Sequence, residues 1–283
     1  MGRLLVLDKS VFESTQTDKL IKFVQNHFLI LPDTLCYECV TASANKEKLL
    51  DRFRLAILAG AYICPNIEDI IEKEANNLSP YGFLVNLEEV FAVRKTFQKN
   101  PRPYRLKQVE EASRKEDKTA KKIIKSAHAF TDELALDDPK LLCDVRKWNS
   151  SKNAKDARLR KWAELVDGND IHMAACTLLC WLTQSPDEYC LSRDWFSWQY
   201  LRLIFILFHE KTFLTHVGAK FSGRTIEHDL QDMKYVLLLS RADALLTKDK
   251  GCLSLAKAAF PEKDVFSSLD EAPDSYLCRW SQD

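Results

Sequence analysis

Six acidic residues occupy positions from which chemistry could be gathered: Asp8, Glu38, Asp229, Asp232, Asp243 and Asp249. Each borders an apolar run that reads as a strand, or lies in a helix next to one. Asp8 closes Leu4-Leu5-Val6-Leu7, and Glu38 follows the run Phe28 to Leu31. Asp229 and Asp232 fall in the first turns of a helix expected over 225–240. Asp243 opens, and Asp249 closes, the unit around Ala244 to Thr247. In an open parallel sheet the carboxyl ends of the strands border the ligand crevice, so acids delivered there by separate strands converge. Converged carboxylates repel and raise one another's pKa. A divalent cation removes that penalty, and hard oxygen donors suit Mg2+ or Mn2+. Such a centre orients a phosphodiester, activates water and stabilises the leaving oxygen. It needs neither histidine nor cysteine.

The elements that must position these acids alternate in type at both ends of the chain. Residues 3–7 form a continuous apolar run, as a strand buried on both faces does. A helix is expected over 18–28 from the spacing of Leu20, Ile21, Val24 and Phe28, then a strand that Pro32 stops. The next helix starts at Asp33 or Thr34, both good caps, and carries Leu35, Glu38 and Cys39 on one face. A helix over 46–58 and a short strand over 61–64 follow. Near the carboxyl end the pattern predicts a helix over 225–240, a strand over 244–247, a helix over 251–260 and a last strand over 265–267. Between these ends, from about residue 68 to residue 220, helix follows helix with little strand signal. The fold class is therefore α/β: a central parallel sheet flanked by helices, with a large all-helical insertion. The boundaries are 1–66 and 222–283 for the core and 67–221 for the insertion.

Three segments resemble the PIN-domain nucleases. Leu4-Leu5-Val6-Leu7-Asp8-Lys9-Ser10 is similar to the opening strand of that family, with its Asp and a Ser or Thr two residues on. Pro32-Asp33-Thr34-Leu35-Cys36-Tyr37-Glu38 is similar to its second motif, a helical Glu after the second strand. The run from Asp229 to Asp249 resembles the family's helix opening with Asp and leading to a strand that ends Thr-x-Asp. The resemblance spans 3–65 and 222–268 and implies a PIN-like, Mg2+- or Mn2+-dependent nuclease. Asp8, Glu38, Asp232 and Asp249 would be its catalytic, metal-holding quartet. Asp229 and Asp243 are further metal candidates, and Ser10 and Thr247 would support the ligands. The family implies RNA as the preferred substrate, with single-stranded DNA open, and by analogy a toxin or defence effector. The alternative is a PIN-like scaffold that binds nucleic acid or a protein partner without cleaving. The helical middle departs from the compact family pattern and bears on substrate access.

Charge is balanced overall, with 41 Lys+Arg against 41 Asp+Glu, so any polyanion contact must be local. Twelve basic residues face four acidic ones between Arg94 and Lys125, and seven face one between Arg146 and Lys161. Arg102, Arg105, Lys118, Lys121, Lys122 and Lys125 are the nucleic-acid-binding candidates from the first run. No phosphate-cradling glycine motif occurs. The most apolar later stretch, Leu201 to Phe208, falls far short of a membrane span, and the opening run is too short for a signal peptide. The expectation is a cytoplasmic protein without a membrane partner; a regulatory protein partner or a homo-oligomer stays open. Nine cysteines at irregular spacing read as reduced, mostly buried thiols. Cys36-x-x-Cys39 has no second pair to complete a zinc site, and His172, Cys176 and Cys180 read as core. The aromatics Trp181, Trp195, Phe196, Trp198, Tyr200, Phe205 and Phe208 read as packing rather than as a base-stacking platform.

Overall fold

A computed structural model of the chain describes residues 3–42, 44–82, 84–85, 87–99, 154–167, 173, 176–177, 192–216 and 223–277. Its centre is a sheet of five parallel strands: β1 (Leu4–Leu7), β2 (Phe28–Leu31), β3 (Tyr62–Ile63), β4 (Ala244–Leu246) and β5 (Asp264–Phe266). They lie in the order β3-β2-β1-β4-β5. Leu5, Val6 and Leu7 are wholly buried, as are Leu29, Ile30 and Leu31 and all of β4. Continuous apolar runs suit these strands because helices cover both faces. Val6 pairs with Ile30 on one side and with Leu245 on the other.

The first half of the chain supplies α1 (Lys9–Ser14), α2 (Thr17–Asn26), α3 (Asp33–Thr41) and α4 (Lys46–Ala59). The short α1, which starts directly after Asp8, has no counterpart in the periodicity; six residues hold too few apolar positions to show one. Gly60 ends α4 at φ 133° and donates its N–H to Ala56 and Ile57. The middle of the chain adds α5 (Ile67–Asn77), α6 (Leu87–Lys99), α7 (Ala154–Val166) and α8 (Phe196–His216). The carboxyl end adds α9 (Gly223–Leu237), which tightens into a 3-10 turn over Leu238–Ser240, and α10 (Lys250–Ala259).

The helices of the middle pack directly on those that flank the sheet. α7 lies against α8 and α10, and α8 also meets α5 and α9. Ile70, Trp162, Phe196 and Ile204 share one apolar core with Leu5, Leu245 and Leu255. The described part of the expected insertion is thus a helical layer on the sheet's own helices. Polar fasteners hold it. Glu74 of α5, 1% exposed, accepts the N–H groups of Phe196 and Ser197 at 2.7 and 2.8 Å, and so caps α8. Arg158 of α7 and Glu210 of α8 form a two-pronged ion pair, with Nε to Oε2 at 3.0 Å and Nη2 to Oε1 at 2.7 Å. Trp162 Nε1 donates to the same carboxylate at 3.0 Å. Arg202 donates to Ala259 O at 2.8 Å and joins α8 to the end of α10.

Two members of the basic runs therefore do structural work instead of meeting phosphate. Arg158 is one. The other is Arg94, whose guanidinium donates to Ile57 O and Gly60 O at the carboxyl end of α4. Trp195, Phe196, Trp198, Tyr200 and Phe208 are buried in the core, in keeping with packing. Among the described residues, no helix is long and apolar enough to cross a membrane.

Candidate metal centre

The strand order creates the site. The chain leaves β1 toward β2 and leaves β4 toward β5, in opposite directions, so a crevice opens beyond the carboxyl ends of β1 and β4. Leu7 pairs with Leu246, so the residues that follow, Asp8 and Thr247, enter the crevice side by side. Thr247 Oγ1 donates to Asp8 Oδ2 at 2.6 Å, and Ser10 Oγ donates to the same oxygen at 2.5 Å. The two hydroxyls fix the plane of a carboxylate that is only 4% exposed. Burial raises the Asp8 pKa, and these hydrogen bonds offset part of the rise.

Asp249 caps α10. Its Oδ1 accepts from the backbone N–H of Gly251 at 2.6 Å and of Cys252 at 3.0 Å, and its own N–H donates to Thr247 Oγ1 at 3.0 Å. Asp232 arrives from α9, which packs on α10 and α3. Glu38 arrives from α3; Tyr235 of α9 donates its hydroxyl to Glu38 Oε2 at 2.5 Å, and Lys9 Nζ lies 3.7 Å from Oε1. Four acids from four separate segments thus stand near one end of the sheet, close enough for Asp249, Asp8 and Glu38 to act on the charge of Asp232.

Gly251 lies between two of them. A Cβ there would stand 3.0 Å from Asp232 Oδ2, 3.0 Å from Asp249 Oδ1 and 3.6 Å from Lys155 Nζ. A larger residue there would press on both carboxylates. The electrostatics agree: burial, then the negative charges of Asp249, Asp8, Asp229 and Glu38, push Asp232 up to about 8. Burial pushes Glu38 up to about 7, against the pull of Tyr235 and Lys9. Oxygen donors that crowd and raise one another, around a space that a side chain would fill, suit a hard divalent cation. In the present arrangement one Asp8 oxygen and one Glu38 oxygen are engaged by hydroxyls and Asp249 Oδ1 by backbone N–H groups. Among the described residues, no three His, Cys, Asp or Glu side chains stand at ligand spacing.

Comparison of the chain with protein-family models, with curated proteins and with solved structures returns no match. The site must therefore be judged on its own geometry.

Of the residues expected from sequence, Asp8, Glu38, Asp232 and Asp249 come together, and Ser10 and Thr247 hold Asp8. Asp229 is close enough to raise Asp232, but its carboxylate is in an ion pair with Lys211 of α8. Asp243 does not join the others. It precedes β4, and its Oδ2 accepts the N–H of Leu4 at 2.7 Å at the amino end of β1. A four-residue strand, roughly 13 Å long, separates that end from Asp8. Its role is to anchor the start of β1. Arg102, Arg105, Lys118, Lys121, Lys122 and Lys125 lie outside the described residues, as do His172 and Cys180. Cys36 and Cys39 are buried in α3, and burial pushes the Cys39 thiol up to about 12, so it stays protonated.

Sequence reasoning did not single out Tyr235, Lys9, Lys155 or Lys211 for the site. Tyr235 was open to discovery, since it stands three residues after Asp232 and shares its helical face. The lysines of α7 and α8 were not, because only packing brings them to the acids.

The raised acids make a stability prediction. Asp232 is raised on folding from 3.8 to about 8, so between these values the folded state binds more protons than the unfolded one. Stability is then complete below about pH 4 and is lost as pH rises toward 8. Asp232→Asn removes the loss. In EDTA at pH 8 the variant should melt higher than wild type by about 2–6 °C, or about 1–2 kcal/mol after solvent screening. The two melting curves should converge near pH 4. Equal melting temperatures at pH 8 would show that the acids are not crowded.

Proposed function

We propose that the protein is a metal-dependent phosphodiesterase of PIN-like type that cleaves RNA in preference to single-stranded DNA. The observation that carries this reading is the meeting of Asp8, Glu38, Asp232 and Asp249 beyond the carboxyl ends of β1 and β4. These acids come from four separate segments, and Asp249, Asp8 and Glu38 each make the charge of Asp232 more costly. A buried cluster of this sort weakens the fold unless function requires it.

Asp8, Glu38, Asp232 and Asp249 would hold Mg2+ or Mn2+, with Asp229 at the margin. Bound there, the ion supplies a Lewis acid for the phosphoryl oxygens and an activated water. The remaining work belongs to the chain. Ser10 and Thr247 orient Asp8, the backbone of α10 orients Asp249, and Tyr235 orients Glu38. Lys155, exposed on α7 and near the Gly251 space, is placed to meet a phosphate oxygen beside the acids.

Labelled single-stranded RNA and DNA, incubated with Mg2+, Mn2+ or EDTA, test the proposal. Cleavage that EDTA stops, faster on RNA, is the expected result. If no substrate is cut and Mn2+ does not raise the melting temperature, the alternative of a binding scaffold stands in its place.

A further inference from the structure

Beside the acids lies a second feature that the hydrolytic reading leaves unused. A cavity of about 410 Å3 opens between α1, the end of α3 and the start of α4, lined by Lys9, Glu13, Ala42, Asn45, Lys48 and Leu49 among others. Its size falls within the range of small-ligand sites. Lys9 belongs to both places: its Nζ faces Glu38 at 3.7 Å and Glu13 at 3.8 Å, and its stem lines the cavity. Lys9 thus stands between the cavity and Glu38 of the candidate centre.

Its wall has two kinds of surface. Ala42, Ala44 and Leu49 form an apolar side. Asn45 and Lys48 are exposed; the Asn45 carbonyl accepts from Leu49 N at 3.0 Å, while its side chain makes no capping bond to α4. Lys48 stands in the first turn of α4 beside Glu47, where the helix dipole is already positive. Arg52, by contrast, is spent: it is 6% exposed and donates to Phe12 O at 2.7 Å and Glu13 O at 3.1 Å, which stiffens the cavity floor. Lys48, one amide with donor and acceptor, and an apolar wall together match a nucleotide unit of phosphate, base edge and base face, while Lys9 holds the Glu13 carboxylate of the wall at 3.8 Å.

The geometry points to this cavity as the subsite for the nucleotide next to the cut, with Lys48 on its phosphate, Asn45 on the edge of its base, and Ala42, Ala44 and Leu49 against the base face. This assignment rests on the hydrolytic reading for the position of the cut, but not for the binding itself. Lys48 and Asn45 position substrate; they take no part in the chemistry.

Binding can be measured apart from cleavage by titrating fluorescein-labelled single-stranded RNA in EDTA and following anisotropy. Lys48→Ala should weaken binding about tenfold and lower the slope of log affinity against log salt by about 1. Asn45→Ala should change the preference among homopolymers of A, C and U while leaving that slope alone. In Mg2+, both variants should raise KM and spare kcat. Lys257→Ala, on the exposed face of α10, serves as a control and should alter neither measure. Wild-type affinity and slope in Lys48→Ala would overturn the subsite, as would an absence of RNA binding by wild type. Lys48-dependent binding by a protein that cuts nothing would keep the subsite and remove the nuclease; cutting indifferent to Lys48 would do the reverse.

Discussion

Asp8→Asn and Asp249→Asn should each reduce metal-dependent cleavage by on the order of 10³-fold and leave the fold intact. The two substitutions are chosen for what they keep. An asparagine at 249 still caps α10, since Asn caps as well as Asp, so the N–H groups of Gly251 and Cys252 keep an acceptor. Only the charge is removed. At position 8 the amide oxygen can still accept from Ser10 and Thr247, and the loss is again of charge in the crevice. Asp249→Ala separates the roles from the other side: it should lose the activity and, in addition, about 1 kcal/mol of stability with the cap. Circular dichroism, melting temperature and single-turnover cleavage on one preparation decide the matter. A fully active Asp249→Asn would remove Asp249 from the centre and leave it a helix cap.

The second large effect is on stability. Glu210→Ala should cost roughly 3–5 kcal/mol, read from urea unfolding, because it strands Arg158 in the interior. The pair is 5% and 4% exposed on its two sides, and Trp162 loses its acceptor as well. Replacing both members by apolar residues of similar volume should cost far less than Glu210→Ala alone, since no buried charge remains. A loss below about 1 kcal/mol for the single variant would mean that the pair is open to water and does not fasten α7 to α8. There is a functional consequence. Lys155 stands three residues before Arg158 on α7 and reaches the Gly251 space from there. Loosening α7 should therefore slow cleavage even at temperatures where the variant is folded. The same ion pair that closes the helical layer holds a cation beside the acids.

Much of the framework was legible from local chemistry. Apolar runs of three or four residues marked β1, β2 and β4, because strands covered on both faces need no polar alternation. Pro32 marked the end of β2 by barring a continued strand ladder. α2 showed its face through the spacing of Leu20 and Val24, both buried. Edges were less exact: the last strand begins at Asp264 rather than Val265, and β3 shrinks to Tyr62–Ile63, since edge pairing depends on the neighbour and not on the strand itself. Basic runs misled at Arg94 and Arg158. A charge count cannot tell a side chain facing solvent from one turned inward to a carbonyl or a carboxylate.

Residue type and spacing alone picked out six acids at strand ends and helix starts and the oxygen chemistry they imply; the resemblance to PIN-domain nucleases singled out Asp8, Glu38, Asp232 and Asp249 among them, with Ser10 and Thr247 as partners. These depend on neighbours within a few residues of a strand end. Tertiary structure decided everything that depends on which strands lie side by side. By setting β1 next to β4 it put Asp8 against Thr247 and left Asp243 at the far end of the same pair. Packing of α9 on α3 gave Glu38 its tyrosine, and packing of α7 and α8 on α9 and α10 brought Lys155 and Lys211 to the acids. The physical reason is range. Strand and helix preferences act over a turn or a few pleats, whereas the charge environment of a site is set by segments separated by as many as 239 positions that only the closed core brings together.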